Sequence, residues 1–459
     1  MGSKENILGT ESIGKLLVKY SVPAIIGMMV NALYNIVDRI FIGNIPNVGP
    51  MAITGLGVTM PIMTIIIAFG TLVGVGSATN ISIKLGENKR DKAEKILGNA
   101  LSLAVILGIS ISVVGLLFLN KILMMFGASD STIIYAKAYM SVILIGPAFN
   151  IMSMTFGNLI RGDGNPRLSA TIMIIGCVLN IVLDAIFIFV FKLGIQGAAY
   201  ATVISQAVSS MVGLSYYLRG KSNVKLKSVN LKLDSNIIKV IFAIGMSPFA
   251  MQLANSMVQL MFNTSLKKYG GDLAIGAMAT ISSINMLFVM PAFGFVQGMQ
   301  PIVGFNYGSK QYGRAKQTLK ISLILATTVF IVGGLIIQFA PQVLVGLFNK
   351  NEELMSITIN GLRKYALAMP IIGISIVGSN FIQSIGKAKV AMLLGLLRQV
   401  IILIPMILIL PNFFGLNGVW FAQPTADTLA AIITGVVLVK ELKKYFNDKD
   451  SKEEKELAV

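Results

Sequence analysis

The chain has no histidine, one cysteine and one tryptophan among its 459 residues, and only 13% of those residues are charged. Each shortage excludes something. Without histidine there is no imidazole proton relay and no histidine-ligated metal. The lone Cys177 cannot form an internal disulfide and says nothing about redox compartment. Soluble globular proteins carry about 25% charged residues, so this deficit excludes a soluble multidomain enzyme. A nucleotide-binding loop is also missing. "GKS" at 220–222 resembles the end of one, but the glycine required earlier in that motif is replaced by Ser215.

What is present is apolar surface. Hydrophobic residues make up 55% of the chain, and the mean hydropathy is +0.78. Runs long enough to cross a bilayer recur along nearly the whole length, which predicts a polytopic membrane protein. Lipid-exposed backbone must satisfy its own hydrogen bonds, so the fold class is all-α. Hydropathy predicts twelve transmembrane helices, near 17–43, 52–82, 96–118, 133–156, 168–191, 197–218, 238–264, 274–300, 319–346, 357–384, 389–410 and 416–440. The start, "MGSKENILGTESIGKLLVKY", has no signal-peptide pattern, so the first helix is expected to act as its own insertion signal.

Most of the 38 Lys and Arg residues lie at the termini and in the even-numbered loops, densest in "KLGENKRDKAEK" (84–95), "RGKSNVKLKSVNLK" (219–232) and the C-terminal tail. The positive-inside rule then places both termini in the cytoplasm of a multi-pass cell-membrane protein. The net charge of +18 is read as this orientation signal, not as an attraction for nucleic acid.

The two halves look alike at an offset of about 222 residues. "KLGENKRDKAEK" (84–95) matches "NYGSKQYGRAKQ" (306–317), "NLIRGDGNPRLSA" (158–170) matches "NFIQSIGKAKVAM" (380–392), and "LGIQGAAY" (193–200) matches "FGLNGVWF" (414–421). Pro23 and Pro248 each open the first long helix of a half. The reading is two pseudo-symmetric six-helix bundles: an N-terminal lobe 1–218, a basic linker 219–237, a C-terminal lobe 238–445 and a charged tail 446–459. "RGDGNPR" (161–167) reads as a short turn.

"NALYNIVDRIFIGN" (31–44) poses the functional question, because it carries Asp38 within an apolar span. A charge at bilayer depth costs roughly 2.5 kcal/mol or more and marks a functional site by default. Asn31, Asn35 and Asp38 form one stripe of the first helix. The fifth span, "GCVLNIVLDAIF" (176–187), presents Asn180 and Asp184 on one face, with Cys177 and Met173 continuing it. The sixth places Thr202 at the same depth, with Gln206 and Ser209 below. Two carboxylates, an amide and a hydroxyl suit Na⁺, or a proton shared by the carboxyl pair. In the second half the matching positions hold Asn263, Met406 and Gln423, so the acids stand on one side only.

These features, with Pro23 about four turns before Asp38, "LNIVLD" and "GIQGAAYATVISQ", resemble the multidrug and toxic compound extrusion (MATE) family, most closely its DinF/MepA-like branch. The resemblance covers about residues 10–445. It implies a cation-coupling site at Asp38, Asn180, Asp184 and Thr202. Some branches also use an acid in the tenth helix, and 357–384 contains none.

The expected function is therefore cation-coupled antiport, with Na⁺ or H⁺ driving export of small, amphipathic, cationic organic compounds by a monomer, without cofactor, nucleic acid or enzymatic chemistry. Asn31, Asn35, Gln206, Met28, Met173 and Met257 are candidate substrate-cavity residues. Pro23 is a candidate hinge, and Arg398 with Asp427, the other charges deep in the spans, a structural ion pair. The alternative is a flippase for lipid-linked oligosaccharides, which would line its cavity with arginines where this chain has Arg398 alone. An intramembrane aspartyl protease is disfavoured, because Ile181, Val182 and Leu183 precede Asp184 where Gly-x-Gly is expected.

Overall fold

Lipid-soluble sequence of this kind has one outlet, the self-satisfied helix, and the computed structural model consists of helices. It describes residues 7–43, 45, 49–126, 133–220, 222–346 and 352–446, among which there is no strand. Twelve helical passes occupy the predicted positions. The first six are Ile13–Gly43, Gly49–Gly86, Arg90–Leu117, the pair Ile133–Ile143 and Pro147–Gly162, Pro166–Ala185 with the π-turn Ile186–Val190, and Ile195–Leu218. The second six begin with Ser235–Gly271, Leu273–Gly308 and Tyr312–Phe339. They end with the pair Glu352–Tyr365 and Met369–Ser384, then Ala388–Phe414 and Leu416–Phe446. By length and apolarity, up to 11 of these passes among the described residues qualify as spans, counting each bent pair as one. Ile195–Leu218, with its many small and hydroxylated residues, is the twelfth.

The internal repeat is written into the backbone. Asn88 and Lys310 sit in the left-handed region at φ 57° and 63°. Each is followed by a residue whose N–H closes the preceding helix, Lys89 onto Lys84 O at 2.9 Å and Gln311 onto Asn306 O at 2.8 Å. Gly164 and Gly386, at φ 106° and 84°, repeat the device two loops later, with Asn165 N on Ile160 O and Lys387 N on Ile382 O. Gly194 and Gly415, at φ 58° and 54°, recur as the positive-φ residues that open the last pass of each half. The fourth and tenth passes bend by 58° and 55°. In both the second segment has proline in its first turn, Pro147 and Pro370, where the missing N–H costs no helical bond.

The chain gathers into two compact units, residues 26–252 and residues 1–25 with 253–459. Their boundaries fall just after Pro23 and just after Pro248, not at the 219–237 linker. Glycines supply the reason. Within 26–252, a Cβ on Gly76 would strike the Ile241 carbonyl and one on Gly245 the Leu72 carbonyl, so the start of the seventh pass lies backbone to backbone on the second. Within the other unit, side chains on Gly294 and Gly298 would strike Ile25 and Ser21, which fixes the base of the first pass to the eighth. Close approach of this kind is how helices associate in lipid.

The basic linker is a strap within the first unit. Buried Asp163, from "RGDGNPR", accepts from the Tyr216 hydroxyl at 2.7 Å, Asn223 N at 2.9 Å and Val224 N at 3.0 Å. Glu94 accepts from Lys225 N at 3.2 Å and pairs with Lys227 at 2.5 Å. Asn99 donates to Asn230 O and accepts from Asp234 N. The turn therefore also anchors the linker. Residues 447–459 of the tail lie outside the described residues.

Burial outweighs the three hydrogen bonds at Asp163 and pushes its carboxyl up to about 6 from an ordinary value of 3.8. A raised folded-state value means that the fold holds the proton more tightly than the unfolded chain does. Stability contributed by this group therefore falls as pH rises between those two values. Asp163→Ala, which strands three donors, is expected to lower the melting temperature and open 222–234 to protease at neutral pH. The melting difference from wild type should be larger near pH 4 than at pH 7. A difference that widens with pH would contradict the assignment.

Candidate functional site

The fifth pass rises as a regular α-helix from Pro166, capped where the Asn165 side chain accepts from Leu168 N at 3.1 Å. It changes to a π-turn at Ile186, directly after Asp184 and Ala185. A π-turn swells the helix at a functional position more often than elsewhere. It leaves Asn180 and Asp184 on the buried face, beside Thr202 of the sixth pass.

Asp38, Asn180, Asp184 and Thr202 are all buried and all in the unit 26–252. With its amide nitrogen turned toward Asp184, Asn180 donates to Asp184 Oδ2 at 3.0 Å and accepts from Thr202 Oγ1 at 3.3 Å and Thr202 N at 3.2 Å. The reverse orientation would turn its oxygen toward the Asp184 carboxylate and leave only the 3.3 Å donation to Thr202 Oγ1, so this one satisfies more of the amide. The Asp184 carboxyl lies within hydrogen-bonding reach of Asp38, and its Oδ1 takes no protein donor. The first, fifth and sixth passes thus bring the predicted quartet together.

The fourth pass adds a residue that spacing did not single out. Buried Tyr139 lies within hydrogen-bonding reach of Thr202 and close to Asp38, Asp184 and Tyr34. The signal was available: a tyrosine in an apolar span needs a partner for its hydroxyl. Tyr139 completes a polar chain running Tyr139, Thr202, Asn180, Asp184, Asp38. Acceptor-only carboxylates cannot touch without something positive between them, a proton or a metal cation. One positive charge between Asp38 and Asp184 would satisfy the pair, with the Asn180 amide N–H bracing Asp184 from the other side.

The other predicted residues distribute unevenly. Met173 packs on Gly27 of the first pass, in the same unit as the quartet. Met28 and Gln206 are half-buried in that unit. Met257 belongs to the other unit, where its side chain is exposed. The side chains of Asn31 and Asn35 lie outside the described residues. Pro23 is half-buried, just before the boundary between units. Arg398 and Asp427 meet, with Arg398 Nε donating to Asp427 Oδ1 at 2.7 Å. Gln423 holds the same carboxylate, donating at 3.1 and 3.0 Å.

Removing one partner of that pair leaves a buried charge, at a cost of about 3–5 kcal/mol. Arg398→Met and Asp427→Leu should each lower thermal stability in detergent, and the double variant should recover much of the loss. A double variant no more stable than the worse single variant would contradict the pairing.

Residues 23–186 and 248–409 match the MatE family, one block in each half. The multidrug export protein MepA of Staphylococcus saprophyticus is 26% identical over 427 residues, covering 93% of this chain and 94% of the relative. MepA of Staphylococcus aureus is 27% identical, covering 92% and 93%. The MATE multidrug transporter DinF-BH, solved as a ligand complex, is 37% identical and superposes with a TM-score of 0.90 over 97% of this chain and 100% of that one. The repeat and the two matched blocks lead to one conclusion: the chain belongs to the MatE family, and is a membrane transporter of the DinF/MepA-like kind rather than an enzyme.

Proposed function

We propose that the chain is a cation-coupled multidrug antiporter of the cell membrane, exporting amphipathic cationic organic compounds, with both termini cytoplasmic. The observation that carries the reading is the buried contact of Asp38 with Asp184, braced by Asn180 and Thr202. The pair needs one positive charge. Na⁺ or H⁺ supplies it in one half of the cycle. A cationic compound competing for the same field takes its place in the other. Coupling is reciprocal by thermodynamic necessity, so an ion that weakens drug binding is itself displaced by drug. The multidrug names of the relatives support the substrate class, and the basic loops support the orientation. Two pseudo-symmetric halves in one chain support action as a monomer.

Pro23 is the hinge in this reading. Proline removes a helical hydrogen bond and crowds the preceding turn, leaving a soft point. It stands where the first pass leaves one compact unit and enters the other, so the Asp38 segment can respond to the ion while the base stays on Gly294 and Gly298.

Dye efflux from proteoliposomes, with a Na⁺ gradient and a pH gradient imposed separately, tests the coupling. Asp38→Asn and Asp184→Asn should each abolish gradient-driven efflux at matched insertion, and the gradient that drives the wild type identifies the ion. Full efflux by both variants would sink the assignment. Pro23→Ala should keep ion binding and lose efflux. Unchanged efflux would reduce the proline to packing.

A further inference from the structure

The unit of residues 1–25 and 253–459 has a polar cluster of its own, on the seventh, tenth, eleventh and twelfth passes. These are the repeat partners of the first, fourth, fifth and sixth, which carry Asp38, Tyr139, Asp184 and Thr202. Its members are Asn255, Tyr365, Arg398 with Gln399, and Gln423 with Asp427. Gln399 donates to Asn255 Oδ1 at 2.8 Å, and Tyr365 lies within electrostatic reach of both Arg398 and Asp427. Where the first unit has two acids in contact, this one has an acid and a guanidinium.

Neutralising Asp427 does not account for how Arg398 is used. A point charge would suffice for that, and an apolar pair of similar size is often at least as stable. Arg398 gives Asp427 only its Nε. No described residue takes a hydrogen bond from Nη1 or Nη2, and neither is a sealed, unsatisfied buried atom. The end of the guanidinium therefore opens on accessible space while its side is fixed. Gln423 grips both oxygens of Asp427 and keeps that carboxylate from swinging round to the Nη edge. The backbone agrees, since Arg398 lies in the π-turn Leu397–Leu403, the second of the two π-turns among the described residues. The first follows Asp184, and such turns gather at functional sites.

The geometry points to a carboxylate-binding site in this unit, in which Nη1 and Nη2 of Arg398 take the two oxygens of a substrate carboxylate while Asp427 and Gln423 hold the guanidinium in place. Planar, two-toothed recognition of a carboxylate is what arginine offers and lysine does not. The Arg398–Asp427 pair is neutral overall, so it offers little net field to a simple anion. A zwitterion, which brings its own cation, suits it better. The site would extend the substrates of an exporter of cationic amphiphiles to zwitterionic ones, and in that sense it rests on the export reading above.

Two rhodamine dyes with the same cationic ring system test it, one with a free benzoic acid group and the other its ethyl ester. Their binding to the purified full-length protein is read by fluorescence anisotropy. Two variants are compared with wild type: Arg398→Gln with Asp427→Asn, which leaves no buried charge, and Arg398→Lys, which keeps the charge but loses the fork. In both, the free acid should bind at least about tenfold more weakly, as expected for loss of a charge-assisted pair, with the ester changed by less than about twofold. The free acid should also raise the melting temperature of wild type more than that of the lysine variant.

Equal weakening of both dyes, or undiminished binding of the acid, would overturn the site. A wild type that binds the ester and not the acid would overturn it while leaving the export reading intact. A wild type that binds neither would overturn both.

Discussion

Everything distinctive about this chain follows from the price of ionised oxygen in hydrocarbon. Two buried carboxyl groups, Asp38 and Asp184, lie within hydrogen-bonding reach of one another inside a helix bundle, where an ionised oxygen is costly. Such a contact persists only if a positive charge joins it. On the proposed reading, that requirement makes the site a receptor for a proton, a metal ion or a cationic drug. Asn180 then has a definite purpose: held by Thr202, it donates to Asp184 Oδ2 and fixes that carboxyl from one side.

The scaffold explains how the occupant of a local site can matter to the whole molecule. Each six-helix half gives up the base of its leading helix: residues before 26 cluster with 253–459, and residues 235–252 cluster with 26–252. Glycines make both attachments, and a proline marks each crossing. The strap at 222–234, held by Asp163, Glu94 and Asn99, keeps the start of the seventh pass with the first unit. One of those prolines, Pro23, lies on the helix that carries Asp38, which is why the proposed reading makes it the hinge.

Much of this was legible in the sequence, for physical reasons. Twelve passes follow from hydropathy because lipid leaves the backbone few alternatives. The repeat could be read from loops because their turn geometry recurs, as Asn88 with Lys310 and Gly164 with Gly386 show. Asp38, Asn180, Asp184 and Thr202 could be placed together because depth along a helix is simple arithmetic. Tyr139 was not, since a tyrosine in an apolar run looks like packing until its hydroxyl is located. The bends of the fourth and tenth passes were missed although Pro147 and Pro370 were visible, because hydropathy does not register a change of direction. The attachment of each helix base was hidden for a different reason: glycine in a membrane helix signals close approach without naming the partner.

The central claim is that the carboxyl pair holds one exchangeable cation, which substrate displaces. Ion release on dye binding tests it most directly, using purified protein in weakly buffered detergent solution with a pH electrode and a Na⁺-selective electrode. The account predicts release of about one H⁺ or Na⁺ per dye bound, and none from Asp184→Asn. Tight dye binding to the wild type with neither ion released would contradict it.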